Sequence, residues 1–72
     1  MLSQKRLKDA LEIFKLNVSL FPSSANAYDS LGETYMELEN YDCALKNYEQ
    51  TLKRNPQNKN VQEIIKKLKS KL

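Results

Sequence analysis

Two prolines, Pro22 and Pro56, stand 34 residues apart, and the chain around them superposes on itself at that shift. Leu7, Ala10, Leu11, Phe14 and Val18 fall on Tyr41, Ala44, Leu45, Tyr48 and Leu52. Asn26, Leu31 and Leu38 fall on Asn60, Ile65 and Leu72. Proline lacks the amide hydrogen that a helix interior needs, so each proline marks a break. Short polar residues follow both, Ser23-Ser24 and Gln57-Asn58, and such residues cap a new helix. A third break is expected at Glu39-Asn40-Tyr41-Asp42, read as a turn with Asp42 as the cap.

Four helices are therefore predicted, at about 4–20, 24–38, 42–54 and 58–71, each with an apolar period near 3.6 residues. Leu7, Leu11, Phe14 and Val18 form the first stripe, with Ala10 beside it. Tyr28, Leu31, Tyr35 and Leu38 form the second, and Tyr41, Ala44, Leu45, Tyr48 and Leu52 the third. Val61, Ile64, Ile65, Leu68 and Leu72 form the fourth, opposite a lysine-rich face. No stretch alternates with the period-two pattern of a strand. Short connections predict antiparallel neighbours, and the fold class is all-α.

A helix–turn–helix unit repeating every 34 residues resembles the tetratricopeptide repeat family. Residues 25–58 carry its signature at every spacing: Tyr28-x2-Leu31-Gly32-x2-Tyr35, then Ala44-x3-Tyr48, then Pro56. Tyr28 stands where tryptophan is usual, and Thr51 where a small alanine is usual. The resemblance implies a right-handed superhelical stack of four helices in one domain spanning 1–72. Residues 4–22 are expected as a half repeat, 25–58 as a complete one, and 58–72 as a C-terminal capping helix. In that last helix Lys66 replaces the glycine, and Gln62 and Lys69 replace the aromatics, which gives the polar outer face a terminal repeat needs. The C-terminus thus reads as an end and the N-terminus as a cut.

The family's use is to hold a peptide or protein surface in a groove lined by the first helix of each repeat. That resemblance implies groove positions Asn26, Asp29, Glu33, Met36 and Glu37, with Asn60, Glu63, Lys67 and Lys71 as their counterparts. Asn26 and Asn60 are the candidates for gripping a ligand backbone, because an amide both donates and accepts. The same residues also read as solvated faces or helix starts. Asp29 and Glu33 would repel a C-terminal carboxylate, so the carboxylate clamp known in this family for chaperone tails is not expected.

The first helix differs from the third in one respect. Ile13, Leu16 and Leu20 form a second apolar cluster, where the third helix has Asn47, Gln50 and Arg54. A helix apolar on two sides calls for neighbours on two sides. A missing first helix, a parent domain or a second copy of the chain would each supply one, and self-association through these three residues is expected for the isolated chain. Scattered surface leucines are the alternative.

Other chemistries find little support in the residues. Histidine is absent, the one glycine cannot build a phosphate loop, and Cys43 has no base partner in sequence. No enzyme activity, cofactor or metal is expected, and Cys43 is read as an ordinary surface or half-buried residue. The single cysteine precludes an internal disulfide and suits a reducing compartment, which favours the cytoplasm for the chain as given, with export open if it is part of a larger parent. Residues 1–6 lack the apolar core of a signal peptide, and no run is long and apolar enough for a membrane span. The formal charge of +3 arises from 12 basic and 9 acidic residues. Lys59, Lys66, Lys67, Lys69 and Lys71 make a basic patch that could meet nucleic acid or another anionic surface. No arginine or aromatic interleaves them, so this stays a minor alternative.

A second resemblance concerns a larger parent. Phe14-Lys15-Leu16-Asn17 and the run from Phe21 to Glu33 resemble short repeat tails at the C-terminus of bacterial serine hydrolases of the beta-lactamase-like and esterase-like kinds. It implies an accessory or oligomerisation domain, with the apolar face of the first helix docking on the enzyme.

Overall fold

The computed structural model describes residues 4–71; the expectations placed on Leu72 and on residues 1–3 lie outside them. Four helices follow in order: α1 (Gln4–Leu20), α2 (Ala25–Glu37), α3 (Tyr41–Arg54) and α4 (Lys59–Lys71). Each packs on the next in the chain. Neighbours run antiparallel, since Arg54 at the end of α3 reaches Pro22 just before α2. Likewise Lys71 at the end of α4 lies over the Tyr41 ring at the start of α3. The result is an all-α stack of the kind that the 34-residue register predicts.

The register holds down to single hydrogen bonds. Phe21 N–H donates to Asn17 O at 2.8 Å, and Asn55 N–H donates to Thr51 O at 2.8 Å. Ser24 N–H donates to Phe21 O, and Asn58 N–H to Asn55 O, at 3.0 and 3.3 Å. The caps then repeat: Ala27 N–H donates to Ser24 Oγ, and Val61 N–H donates to Asn58 Oδ1. Two stretches of unlike sequence thus build one proline turn twice, because each supplies a break and a short polar cap three residues before a helical amide.

The core lies on both sides of α3. Ala44, Tyr48, Val61, Ile65 and Leu68 are buried together, with Tyr35, Met36, Tyr41, Leu45, Leu52 and Ile64 packed around them. Burial of a Val, Ile or Leu side chain stabilises by about 1.5–3 kcal/mol relative to exposure, so the α4 trio holds that helix down against its lysine face. Gly32 is the close-approach point. A Cβ there would meet Tyr48 ring carbons at 3.2, 3.2 and 3.3 Å, inside comfortable contact. The two buried threonines do not waste polar groups: Thr34 Oγ1 donates to Ser30 O and Thr51 Oγ1 to Asn47 O. Thr51 therefore fits where the family prefers alanine, by turning its hydroxyl back on its own helix.

The α2–α3 turn departs from expectation. Asn40, not Asp42, is the N-cap of α3, and it makes no side-chain cap hydrogen bond; Asp42 lies in the first turn. There its carboxylate still favours the positive end of the helix dipole. The chain reaches Asn40 through a left-handed residue, Glu39, at φ 60°. Asn40 N–H donates to Tyr35 O and Glu39 N–H to Met36 O, both at 2.9 Å. This pair of bonds is the Schellman closure, whose left-handed position ordinarily belongs to glycine.

Glu39 is exposed, so its side chain gives up little on removal while its backbone is strained. Glu39→Gly is expected to raise stability by about 1 kcal/mol, read as a higher urea midpoint with an unchanged slope.

Candidate functional site

Two clefts flank α2, and they share two of its carboxylates. The first, between α2 and α4, encloses about 420 Å³ and is lined by Asp29, Glu33, Met36, Glu37, Tyr48, Asn58, Asn60, Val61 and Ile64. The second, between α1 and α2, encloses about 680 Å³ and is lined by Leu7, Ala10, Phe14, Ser30, Glu33, Thr34 and Glu37. Helix spacing explains the α2 wall. Asp29, Glu33 and Glu37 follow one another at four-residue intervals, so they stack along one face with Met36 beside them.

Of the groove positions that the resemblance implies, Asp29, Glu33, Met36, Glu37 and Asn60 come together in the α2–α4 cleft. Asn26 lies apart, at the start of α2, in a pocket of about 300 Å³ with Phe14, Asn17, Phe21, Ser24, Ala27 and Ser30. Glu63 and Lys67 are exposed on α4 but outside the lining. The α4 wall ends at Ile64; Lys67 and Lys71 lie further along the helix, and Glu63 is turned by the ~100° that separates consecutive helix residues. Sequence reasoning misses Tyr48, Asn58, Val61 and Ile64 as lining. It assigns them to core and cap, and the edge of the α4 core stripe, Val61 and Ile64, also forms the cleft floor.

The cleft is electronegative on its α2 side. That helix contains Asp29, Glu33 and Glu37 and no basic residue. Burial pushes the Asp29 carboxyl above its ordinary value. The Tyr48 phenol is pushed well above its ordinary value too, first by burial and then by the charges of Asp29 and Glu33. A half-buried carboxylate short of solvent is a natural partner for a cation. Asn58 already spends its Oδ1 on the α4 cap. The Asn60 side chain is exposed at the rim, where both its donor and its acceptor can reach a ligand.

The opposite end of the α2–α3 pair is held by an arginine. Arg54 donates from Nε to Pro22 O at 2.8 Å and from Nη1 to Gln50 Oε1 at 2.7 Å. Its guanidinium lies 4.3 Å from the centroid of the Tyr28 ring, and Nη2 donates to the Tyr28 hydroxyl at 3.4 Å. At the next repeat Gln62, which stands at the Tyr28 position, donates to Pro56 O at 2.8 Å. Helix one has Leu20 in place of Arg54. Ile13, Leu16 and Leu20 are 60, 58 and 60 % exposed, and Phe21, which the sequence alone does not single out, is 62 % exposed. Cys43 is half-buried.

Among the described residues no helix is long and apolar enough to cross a membrane, and no group of histidine, cysteine or acidic residues could hold a metal ion. Compared with known proteins, residues 25–58 match the tetratricopeptide repeat family. No curated protein matches the chain.

Burial makes the Asp29 charge a cost to the folded state. Its raised pKa means that stability is complete below the ordinary carboxylate pKa and falls as pH rises through the folded-state value. Asp29→Asn is therefore expected to raise the thermal midpoint at pH 7 and to leave it unchanged near pH ~3, where wild-type Asp29 is neutral in both states.

Proposed function

With residues 25–58 identified as a tetratricopeptide repeat, we propose that the chain works as a protein-binding scaffold whose α2–α4 cleft grips an extended peptide or a protruding edge of a partner. The repeat itself points to a protein-interaction scaffold. The finer reading rests on one observation: five side chains expected to line a groove, Asp29, Glu33, Met36, Glu37 and Asn60, converge on a single cleft.

The division of labour follows from the chemistry of the walls. Met36, Val61 and Ile64 offer an apolar floor that takes aliphatic side chains. Asn60 grips the ligand backbone, donating to a carbonyl and accepting from an amide. Asp29, Glu33 and Glu37 select lysine or arginine on the α2 side and reject carboxylates. The lysines of α4 stand beyond the cleft and favour an acidic residue further along the ligand. α4, with its apolar side on α3 and its lysines in solvent, acts in this reading as the cap of the stack, and residues 4–22 as a half repeat.

The test is a set of immobilised extended hexapeptides graded from acidic to basic, probed with the labelled chain. Retention is expected to increase with lysine and arginine content and to fall with salt. In solution, Asn60→Ala and the pair Asp29→Asn with Glu33→Gln are each expected to weaken the best basic peptide about tenfold. A preference for acidic peptides, or variants that bind as tightly as the parent, would refute the cleft as the binding site.

A further inference from the structure

The four helices distribute their charge differently. α1 and α3 mix both signs along their lengths, and α2 has carboxylates alone. α4 has five lysines against one carboxylate, Glu63, so this helix alone exceeds the net +3 of the chain and the remainder is net acidic. All five lysines are exposed. Lys71 lies over the Tyr41 ring. Lys59, Lys66, Lys67 and Lys69 form no ion pair among the described residues, whereas Lys15 pairs with Glu12 on α1.

Val61, Ile65 and Leu68 are buried on the inner side of α4. At ~100° per residue, Lys59, Lys66 and Lys67 lie within about 60° of the line directly opposite that stripe, and Lys69 and Lys71 flank it on either side. The face that results is broad and raised, and none of the three clefts at α2 is lined by a lysine.

This arrangement works against the helix that carries it. Lys59 is the first residue of α4, at the positive end of the helix dipole, where a cation is disfavoured. Lys66 and Lys69 stand three residues apart, and Lys67 and Lys71 four, the spacings at which like charges repel. A face that serves solubility alone mixes the two signs, as α1 and α3 do. Nothing within the fold offsets the unfavourable charges of α4, and a local rule broken without compensation points to a functional surface.

We propose that the outer face of α4, with Lys59, Lys66, Lys67 and Lys69, rests on the anionic surface of a phospholipid bilayer. Lysine is a compact point charge on a flexible stem, and several together suit a plane of loosely ordered phosphates. Nucleic acid fits the face less well. No arginine or aromatic stands among the lysines, and no groove gathers them to follow a strand. The contact is electrostatic and shallow, because the apolar side of α4 is buried against α3 and leaves nothing to insert. It is separate from the peptide-binding reading of the α2–α4 cleft, which α4 lines with Asn60, Val61 and Ile64.

The test is co-sedimentation of the full chain with vesicles of phosphatidylcholine, alone or mixed with phosphatidylglycerol. Binding is expected only with the anionic lipid and is expected to fall steeply with salt. Lys59→Gln with Lys66→Gln is expected to weaken it at least about tenfold. Lys46→Gln with Lys53→Gln removes the same charge from exposed positions of α3 and is expected to leave it nearly unchanged. Lys59→Gln alone is expected to raise the thermal midpoint while it weakens binding, so unfolding cannot account for the loss. Asn60→Ala is expected to bind vesicles as the parent chain does, which keeps this outcome separate from that of the cleft. Equal binding to neutral vesicles, equal loss with the α3 pair, or no binding to anionic vesicles at low salt would overturn the proposal. So would a labelled mixed-sequence oligonucleotide that binds the chain and that anionic vesicles fail to displace, since nucleic acid would then be the occupant.

Discussion

The contact between Gly32 and the Tyr48 ring sets the distance between α2 and α3, and most of the structure depends on that distance. With no side chain on Gly32, the Tyr48 ring occupies the space that a Cβ there would crowd, and Tyr48 is only 2 % exposed. Tyr48 then serves two surfaces at once. It is part of the core with Ala44, Val61, Ile65 and Leu68, and it lines the α2–α4 cleft below Asp29 and Glu33. A bulkier residue at position 32 would move α2 outward, tilting the acidic wall away from Asn60 and opening the floor. Packing and groove shape are here one constraint.

Much of this is legible in the sequence because a repeat states its own contacts twice. Four helices, their order and their apolar faces follow from the proline spacing and the 3.6-residue period. The proline turns even share hydrogen bonds, since Ser24 and Asn58 satisfy the same requirement with different side chains. What escapes is chemistry without a periodic trace. Glu39 in a left-handed conformation is invisible, because nothing in a glutamate announces that the turn will strain it. The Arg54 contacts with Tyr28 and Pro22 join residues 26 and 32 apart and depend on the antiparallel arrangement itself. The α2 wall of the cleft can be read from its four-residue spacing. The α4 wall can be read only in part, because the extent of lining along a helix depends on where the neighbouring helix leaves it, which sets Lys67 outside and Ile64 inside.

The two copies of the second-helix pattern show how a scaffold tunes its surfaces without altering its core. α1 and α3 share an apolar face, and both present small Ala10 or Ala44 beside an aromatic. They differ on the flank. On α3, Asn47 donates to Cys43 O within the helix, and Arg54 donates to Gln50 O and Oε1 while reaching across to Pro22 O and the Tyr28 ring. α1 leaves Ile13, Leu16 and Leu20 in solvent, at a cost in exposed apolar area that a small domain tolerates poorly. The same helical pattern thus carries one flank joined to its neighbour and one apolar flank exposed.

The central claim, that close approach at Gly32 and Tyr48 holds the pair together, is tested most directly by a double-mutant cycle in urea. Gly32→Ala and Tyr48→Leu would be measured singly and together, in a Glu39→Gly background so that every variant stays folded. Where Tyr48→Leu has removed the ring, Gly32→Ala is expected to stabilise by about 1 kcal/mol, the helix propensity gain. With Tyr48 present, the ring must move aside and that gain is expected to vanish or reverse, a coupling of about 1–2 kcal/mol. An equal effect of Gly32→Ala in both backgrounds would contradict the account.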